Sequence, residues 1–259
     1  MRKAYQRGAG EETQEQTFDR KVQDTLRINK YLSASGHCSR RVADTLIEAK
    51  RVKIDHEIAE KGSKVSFGQS VFVDDKKITF SQKHVYIILH KPRGITCTLE
   101  HNVAGNLADF MDYPKRIFPI GRLDKDSSGL LLLSSDGDIV NKILRSENNH
   151  EKEYVVRVHK DIEQAFIKAM SEGVEITNTR FNTRETTKKC SIVAVDARTF
   201  KIVLTQGLNR QIRRMCSELG YRVVKLKRVR IMHLLLADLQ VGEWRYMSQT
   251  ELDTLANKI

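Results

Sequence analysis

The rhythm of hydrophobic and polar positions changes several times along the chain of 259 residues. Residues 1–24 are polar and mixed in charge, which predicts a mobile tail. From Leu26 onward, Ile28, Tyr31 and Leu32 recur at helical spacing, and Gly36 should stop that helix. Ser39 is placed to cap a second helix over Arg40–Lys50, with Val42, Leu46 and Ile47 on its buried stripe. RVKID and VFVDD then alternate as strands do. Two short helices and a few strands over residues 25–84 make a small α/β module.

A larger unit follows over residues 85–259. VYIILH reads as a buried strand, KPRG as a turn, ITCT as a further strand and NLADFM as a short helix. The unbroken apolar run in SGLLLLSS suits a central strand covered on both faces. DGDIVNKILRS predicts a helix capped by Ser135 or Asp136, burying Ile139, Val140, Ile143 and Leu144. KEYVVRV is a strand, DIEQAFIKAMSEGV a helix closed at Gly173, and CSIVAVDARTFKIVLTQG a hairpin. NRQIRRMCSELGY turns Ile212, Met215, Cys216 and Leu219 inward and stops at Gly220. The irregular order of strands and helices points to an α+β fold on a mixed, mostly antiparallel sheet, not to a doubly wound one.

No apolar run approaches the roughly 18–20 residues of a membrane span, and the N-terminus lacks the apolar core of a secretory signal, so a cytoplasmic protein with no membrane partner is expected. Cys38, Cys97, Cys190 and Cys216 form no CxxC pair and none has zinc spacing to a histidine, so reduced thiols and no metal are expected. No glycine-rich phosphate loop suggests a nucleotide cofactor, and none is expected.

The formal net charge of +12 asks for a polyanionic partner. Its distribution sharpens this. Gly207–Arg230 holds eight basic residues (Arg210, Arg213, Arg214, Arg222, Lys225, Lys227, Arg228 and Arg230) against one acid, Glu218. Like charges at i,i+4, as at Arg210 and Arg214, mildly destabilise a helix unless an anion binds them. In the first module, Arg27, Lys30, Arg40 and Arg41 take polar positions suited to a phosphate backbone.

The chemistry centres on GRLDKDSSGLLLL. Asp124 and Asp126 would lie roughly 6.5 Å apart if extended, which leaves a two-carboxylate glycoside hydrolase open. Asp126, ahead of Ser-Ser-Gly, is better read as bonding local backbone in a turn. Asp124 lies between Arg122 and Lys125. An arginine partner would keep it ionised, as either a salt-bridged carboxylate or a nucleophile.

Two resemblances narrow these options. RINKYLSASGHCSRRVADTLIEAKRVKID resembles the S4 RNA-binding domain. LHKPRG, PIGRLDKDSSGLLLLSSDG, KEYVVRV and LTQGLNRQIRRM, in that order, resemble the RNA pseudouridine synthases of the RsuA/RluF branch, and the similarity runs from about Leu26 to Trp244. It implies Asp124 as the catalytic carboxylate, Tyr154 as the residue stacking on the target uracil, and Arg213 as the partner of the aspartate. Arg122 would fill the space left by the extruded base, Leu204 or Ile212 would wall the uracil pocket, and Arg210 and Arg214 would hold substrate. Lys91 and Pro92 match a structural motif. TTKKC, RVRIM and GEWR are most similar to the RluF type. That similarity implies large-subunit (23S) ribosomal RNA as substrate and a tyrosine transfer RNA as a second one; a monomeric enzyme is expected. The competing expectation, resting on the basic segments alone, is a non-catalytic RNA-binding or ribosome-assembly factor.

Overall fold

The computed structural model describes residues 3–7, 25–79, 84–144, 149–178 and 183–259. Of the expected tail, only residues 3–7 are described. They are not free: β1 (Tyr5–Gln6) lies parallel to Glu243–Trp244, and the Arg7 guanidinium grips Asp238 at 2.7 Å.

The first module comprises β2 (Thr25–Arg27), α1 (Ile28–Ala34), α2 (Arg40–Glu48), β3 (Val52–Ile54), β4 (Glu57–Ile58), β5 (Lys64–Ser66), β6 (Val71–Val73) and β7 (Lys76–Ile78). Ser39 caps α2 as expected, its hydroxyl accepting from the Val42 amide at 3.2 Å. The helix is shorter than expected, ending at Glu48 because Lys50 turns left-handed at φ 56°. Its buried stripe is also rotated. Val42 is 49% exposed, and Ala43 and Ile47 face Ile28 and Leu32 instead. The small Ala43 lets α1 and α2 approach closely, which Val42 at that position would not.

The second unit runs through β8 (Tyr86–Lys91), α3 (Leu107–Met111), β9 (Phe118–Ile120), β10 (Ser128–Ser134), α4 (Gly137–Leu144), β11 (Lys152–Val158) and α5 (Gln164–Glu172). It continues through β12 (Glu175–Asn178), β13 (Thr183–Thr186), β14 (Ser191–Asp196), β15 (Thr199–Leu204), α6 (Gln211–Glu218), β16 (Val223–Ile231), β17 (Leu234–Leu235), β18 (Glu243–Tyr246) and α7 (Gln249–Ala256). One mixed sheet, in the order β1-β18-β8-β10-β16-β11-β15-β14, carries it, with β9 and β17 as side branches. The segment ITCT is not a strand; only Thr96 bridges, to Asn106.

β10 is the central strand its composition implied. Leu130 and Leu132 enter a core with Ile139, Ile143, Leu252 and Leu255, beneath α4 and α7. Leu131 and Leu133 enter a second core on the opposite face, with Phe110 and Trp244. Each fully buried leucine contributes about 1.5–3 kcal/mol. A third core, under α5 and α6, joins Val156, Phe200, Ile202, Ile212 and Met215.

One edge of β10 is shared. Its C-terminal half pairs with β9, whereas its first two residues pair with β16, Ser128 with Lys227 and Gly129 with Arg228. The parallel β10–β16 ladder is therefore short, and the loop from β9 into β10, with Asp124, lies at this joint.

The two units touch. Lys30 Nζ lies 2.8 Å from Asp138 on α4, and Arg116 donates to the Cys38 carbonyl at 3.1 Å.

Candidate active site

The loop carrying Asp124 is stitched on three sides. Leu123 is buried, and its amide reaches the Cys97 sulfur at 3.4 Å. The Ser127 amide closes a turn on the Asp124 carbonyl at 3.0 Å. Gly94, in the KPRG turn, donates to the Lys125 carbonyl at 2.6 Å. That turn is held in its own right: Lys91 is fully buried and its ammonium donates to the carbonyls of Pro92 and Ile95, at 2.9 and 2.8 Å. Burial pulls the Lys91 ammonium down to about 8, a fall resisted by Cys97, Asp124 and Asp126 and reinforced by Arg228.

Helix α6 supplies the facing cations. Arg213 Nε lies 3.7 Å from Asp124 Oδ2, and its Nη2 donates to the Asp126 carbonyl at 3.2 Å and to Ser127 Oγ at 3.0 Å. The Arg213 side chain is 12% exposed and that of Asp124 28%. Nε is buried without a hydrogen-bond partner among the described residues. Arg213 therefore fixes the loop through backbone and hydroxyl, and its charge faces the carboxylate without consuming its lone pairs.

Arg210 approaches from the solvent side, with Nη1 at 3.3 Å from Asp124 Oδ2 and both Nη atoms on Asp126 at 3.2 and 3.3 Å. It caps α6 in a left-handed conformation, φ 50°, which is unusual for a side chain of its size. This corrects the reading of Asp126. Its partners are Arg210 and Arg213, far away in sequence, more than local backbone. Burial raises the Asp126 pKa, but the Arg210 hydrogen bond and the two guanidinium charges outweigh it, and the net shift is downward.

The other expected residues fall into three groups. Tyr154 is half-buried on β11, with Ile202 on one neighbouring strand and Arg228 on the other. Its hydroxyl makes no hydrogen bond among the described residues. Leu204 and Ile212 are buried in the same cluster that Tyr154 packs against. Arg214 leans on Asn209 at 2.8 Å. The Arg122 side chain is exposed and makes no ion pair among the described residues, as are Arg27, Arg40 and Arg41 on the first module. Lys30 departs from the expected basic face, because Asp138 draws it into the contact between units.

The basic segment is likewise divided by the fold. Arg230 is bound to Glu151 and Glu153 at 3.0 and 2.9 Å. Arg228 is only 4% exposed. This was missed from the sequence; alternation along KLKRVRI, with Leu226 facing inward, is the signal that could have shown it.

Among the described residues, no cluster of three histidine, cysteine or acidic side chains has the makings of a metal site. What the site offers is two carboxylates, Asp124 and Asp126, under two arginines of α6 and its cap, with Tyr154, Leu204 and Ile212 in the cluster that the same helix packs on.

Residues 85–218 match the family model of RNA pseudouridylate synthases, and residues 26–71 match that of the S4 domain. The chain is 48% identical over 230 residues to the dual-specificity RNA pseudouridine synthase RluF of Escherichia coli K12, covering 88% of this chain and 77% of that one. It is 30% identical to the ribosomal large subunit pseudouridine synthase B of Bacillus subtilis, over 88% of this chain and 95% of the other. A crystal structure of a pseudouridylate synthase, 29% identical, superposes with a TM-score of 0.64 over 89% of this chain and 99% of that one. Fold, domain order and sequence together make the chain a member of the RNA pseudouridine synthase family, in its RsuA branch, with an S4 domain ahead of the catalytic domain.

Proposed function

We propose that Asp124 is the carboxylate that carries the isomerisation of uridine to pseudouridine. The observation that supports it most is the approach of Arg210 and Arg213, which they share with Asp126, to this partly exposed aspartate in the loop where β9, β10 and β16 meet. The reaction breaks the C1′–N1 bond, turns the uracil and rejoins it through C5. The C5 proton is lost and N1 regains one, so the product is an isomer of the substrate. One carboxylate serves, acting on the base or on the sugar. Arg213 holds it, Tyr154 offers a stacking face for the extruded base, and Leu204 and Ile212 form the apolar wall. Taking the base out of its stack costs a few kcal/mol, and stacking on Tyr154 together with phosphate contacts offsets it. Arg122, which is exposed, would enter the gap.

For substrate we propose large-subunit ribosomal RNA, with a tyrosine transfer RNA as a second target. One relative is a ribosomal large subunit synthase and another is dual in specificity, which supports the ribosomal substrate and the existence of a second target. Arg27, Arg40 and Arg41 would anchor the RNA backbone, and the enzyme would act as a cytoplasmic monomer.

The test is Asp124→Asn, assayed by release of tritium from C5-labelled uridine in both RNAs and by RNA binding. The variant should fold, bind as wild type does, and release no tritium. Wild-type release from Asp124→Asn would remove Asp124 from the mechanism. Absence of pseudouridine formation by the unmodified protein on any ribosomal or transfer RNA would favour the non-catalytic RNA-binding factor.

A further inference from the structure

Arg228 contributes to no surface, although it lies in the most basic segment of the chain. It sits on β16 between Tyr154 of β11 and Gly129 of β10, its registered partners on either side. Its Nε donates to the Leu130 carbonyl at 2.8 Å, and its Nη1 reaches the Arg122 carbonyl at 3.5 Å. Those two carbonyls bracket the segment that carries Asp124. Arg213 holds the same segment through the Asp126 carbonyl and Ser127. The segment is thus held by one guanidinium on α6 and by another inside the sheet.

The position is a costly one for a cation. Nη2 of Arg228 is buried and has no partner among the described residues. Lys91 and Lys152 are also buried, and Arg228 adds to the burial that lowers both of their pKa values. A buried guanidinium with a spare donor next to two ammonium groups weakens a fold more readily than it stabilises one. Its backbone is pressed against the next strand as well: a Cβ on Gly129 would meet the Arg228 carbonyl oxygen at 2.2 Å. The Arg228 main chain is therefore fixed against β10, and its guanidinium reaches the two carbonyls from that fixed base.

We propose that Arg228 is a positioning residue for the reaction, a strut that sets the height of Asp124 relative to Tyr154 by holding both ends of residues 122–130. This rests on Asp124 being the catalytic carboxylate. Arg228 touches no substrate in this role and acts through the loop. Catalysis depends on such placement steeply, an error of about 1 Å costing on the order of 100-fold in rate. Lysine, with a single ammonium, cannot span both carbonyls in the plane that a guanidinium provides.

The experiment compares Arg228→Met, Arg228→Lys and Asp124→Asn in the full chain. Readouts are the single-turnover rate, the RNA dissociation constant, the thermal midpoint, and amide hydrogen exchange at Leu123 and Ser127. Expected for Arg228→Met is a rate lower by about 100-fold, with the dissociation constant changed less than about 3-fold and the midpoint held or raised. Exchange should quicken at Leu123 and Ser127 and stay unchanged along the β8–β10 ladder. Arg228→Lys should recover less than about a tenth of the lost rate. A near-wild-type rate in Arg228→Met overturns the inference. So does loss of folding in both variants, or exchange that quickens throughout the sheet, since either makes the arginine a fold residue. If Asp124→Asn keeps its activity, the catalytic assignment itself falls; if it is inert while Arg228→Met is active, only the strut falls.

Discussion

Gly129 offers the sharpest test of how the sheet supports the site. It has φ 111°, which side-chain-bearing residues rarely adopt, and a Cβ there would meet the Arg228 backbone oxygen at 2.2 Å and its nitrogen at 2.6 Å. Both obstacles belong to a neighbouring main chain, so no rotamer change relieves them. For Gly129→Ala the disfavoured backbone costs about 1–3 kcal/mol and the overpacking about 1–3 kcal/mol. The sum, roughly 2–6 kcal/mol, is a large share of the 5–15 kcal/mol typical of a folded domain. The β10–β16 ladder has only two registered pairs, one of them Gly129 with Arg228, so the strain falls on the seam between the halves of the sheet. At about 2–4 °C per kcal/mol for a chain of this size, the thermal midpoint should drop by at least ~4 °C. Differential scanning calorimetry and urea titration would measure it. The control is Gly207→Ala, where a Cβ meets nothing within 4 Å and φ is not positive; it should be neutral or gain up to about 1 kcal/mol. A midpoint for Gly129→Ala equal to wild type would refute the close approach of β10 and β16.

Three further outcomes follow from the same geometry. Lys91 has its pKa lowered to about 8 from 10.5, so between those values the unfolded chain holds the proton that the folded chain has lost, and stability rises with pH. The stability difference between wild type and Lys91→Met, measured in urea at pH 7.5 and pH 10, should move by about 2 kcal/mol in favour of wild type; a constant difference contradicts it. Asp126→Asn should keep activity within about 10-fold, because a partly exposed ion pair is worth at most about 1 kcal/mol, and should bind RNA slightly tighter once Arg210 is released. A loss equal to that of Asp124→Asn would revive the two-carboxylate mechanism. Arg40→Glu with Arg41→Glu should weaken RNA binding and flatten its dependence on salt concentration, whereas Lys30→Ala should leave that slope nearly unchanged because Lys30 is engaged with Asp138. Filter binding from 50 to 300 mM salt would separate them.

Much was legible from local pattern. The leucine run marked a strand buried on both faces, Ser39 and Gly36 bounded the first two helices, and GRLD with QIRRM identified the family. These are short-range properties: side-chain periodicity, cap chemistry, and residue types at fixed spacing. The errors were of a different kind. Val42 was expected inside and Ala43 took its place, since the approach of α1 to α2 decides which residue of a stripe is small enough to be buried.

Periodicity, capping residues and motif spacing were enough to establish two units, an α+β catalytic domain and Asp124 as the residue to question. The tertiary structure assigned the charges. Eight cations in one basic segment look alike as letters. The fold sends Arg213 and Arg210 to the aspartates, Arg230 to Glu151 and Glu153, and Arg228 into the sheet. Asp126, read as a local turn residue, became the counter-charge of α6. Such pairings span 77 or more residues, as for Arg230 with Glu153 and Arg210 with Asp126. They depend on strand order and on which side of each strand faces its neighbour, and only the packed sheet sets these.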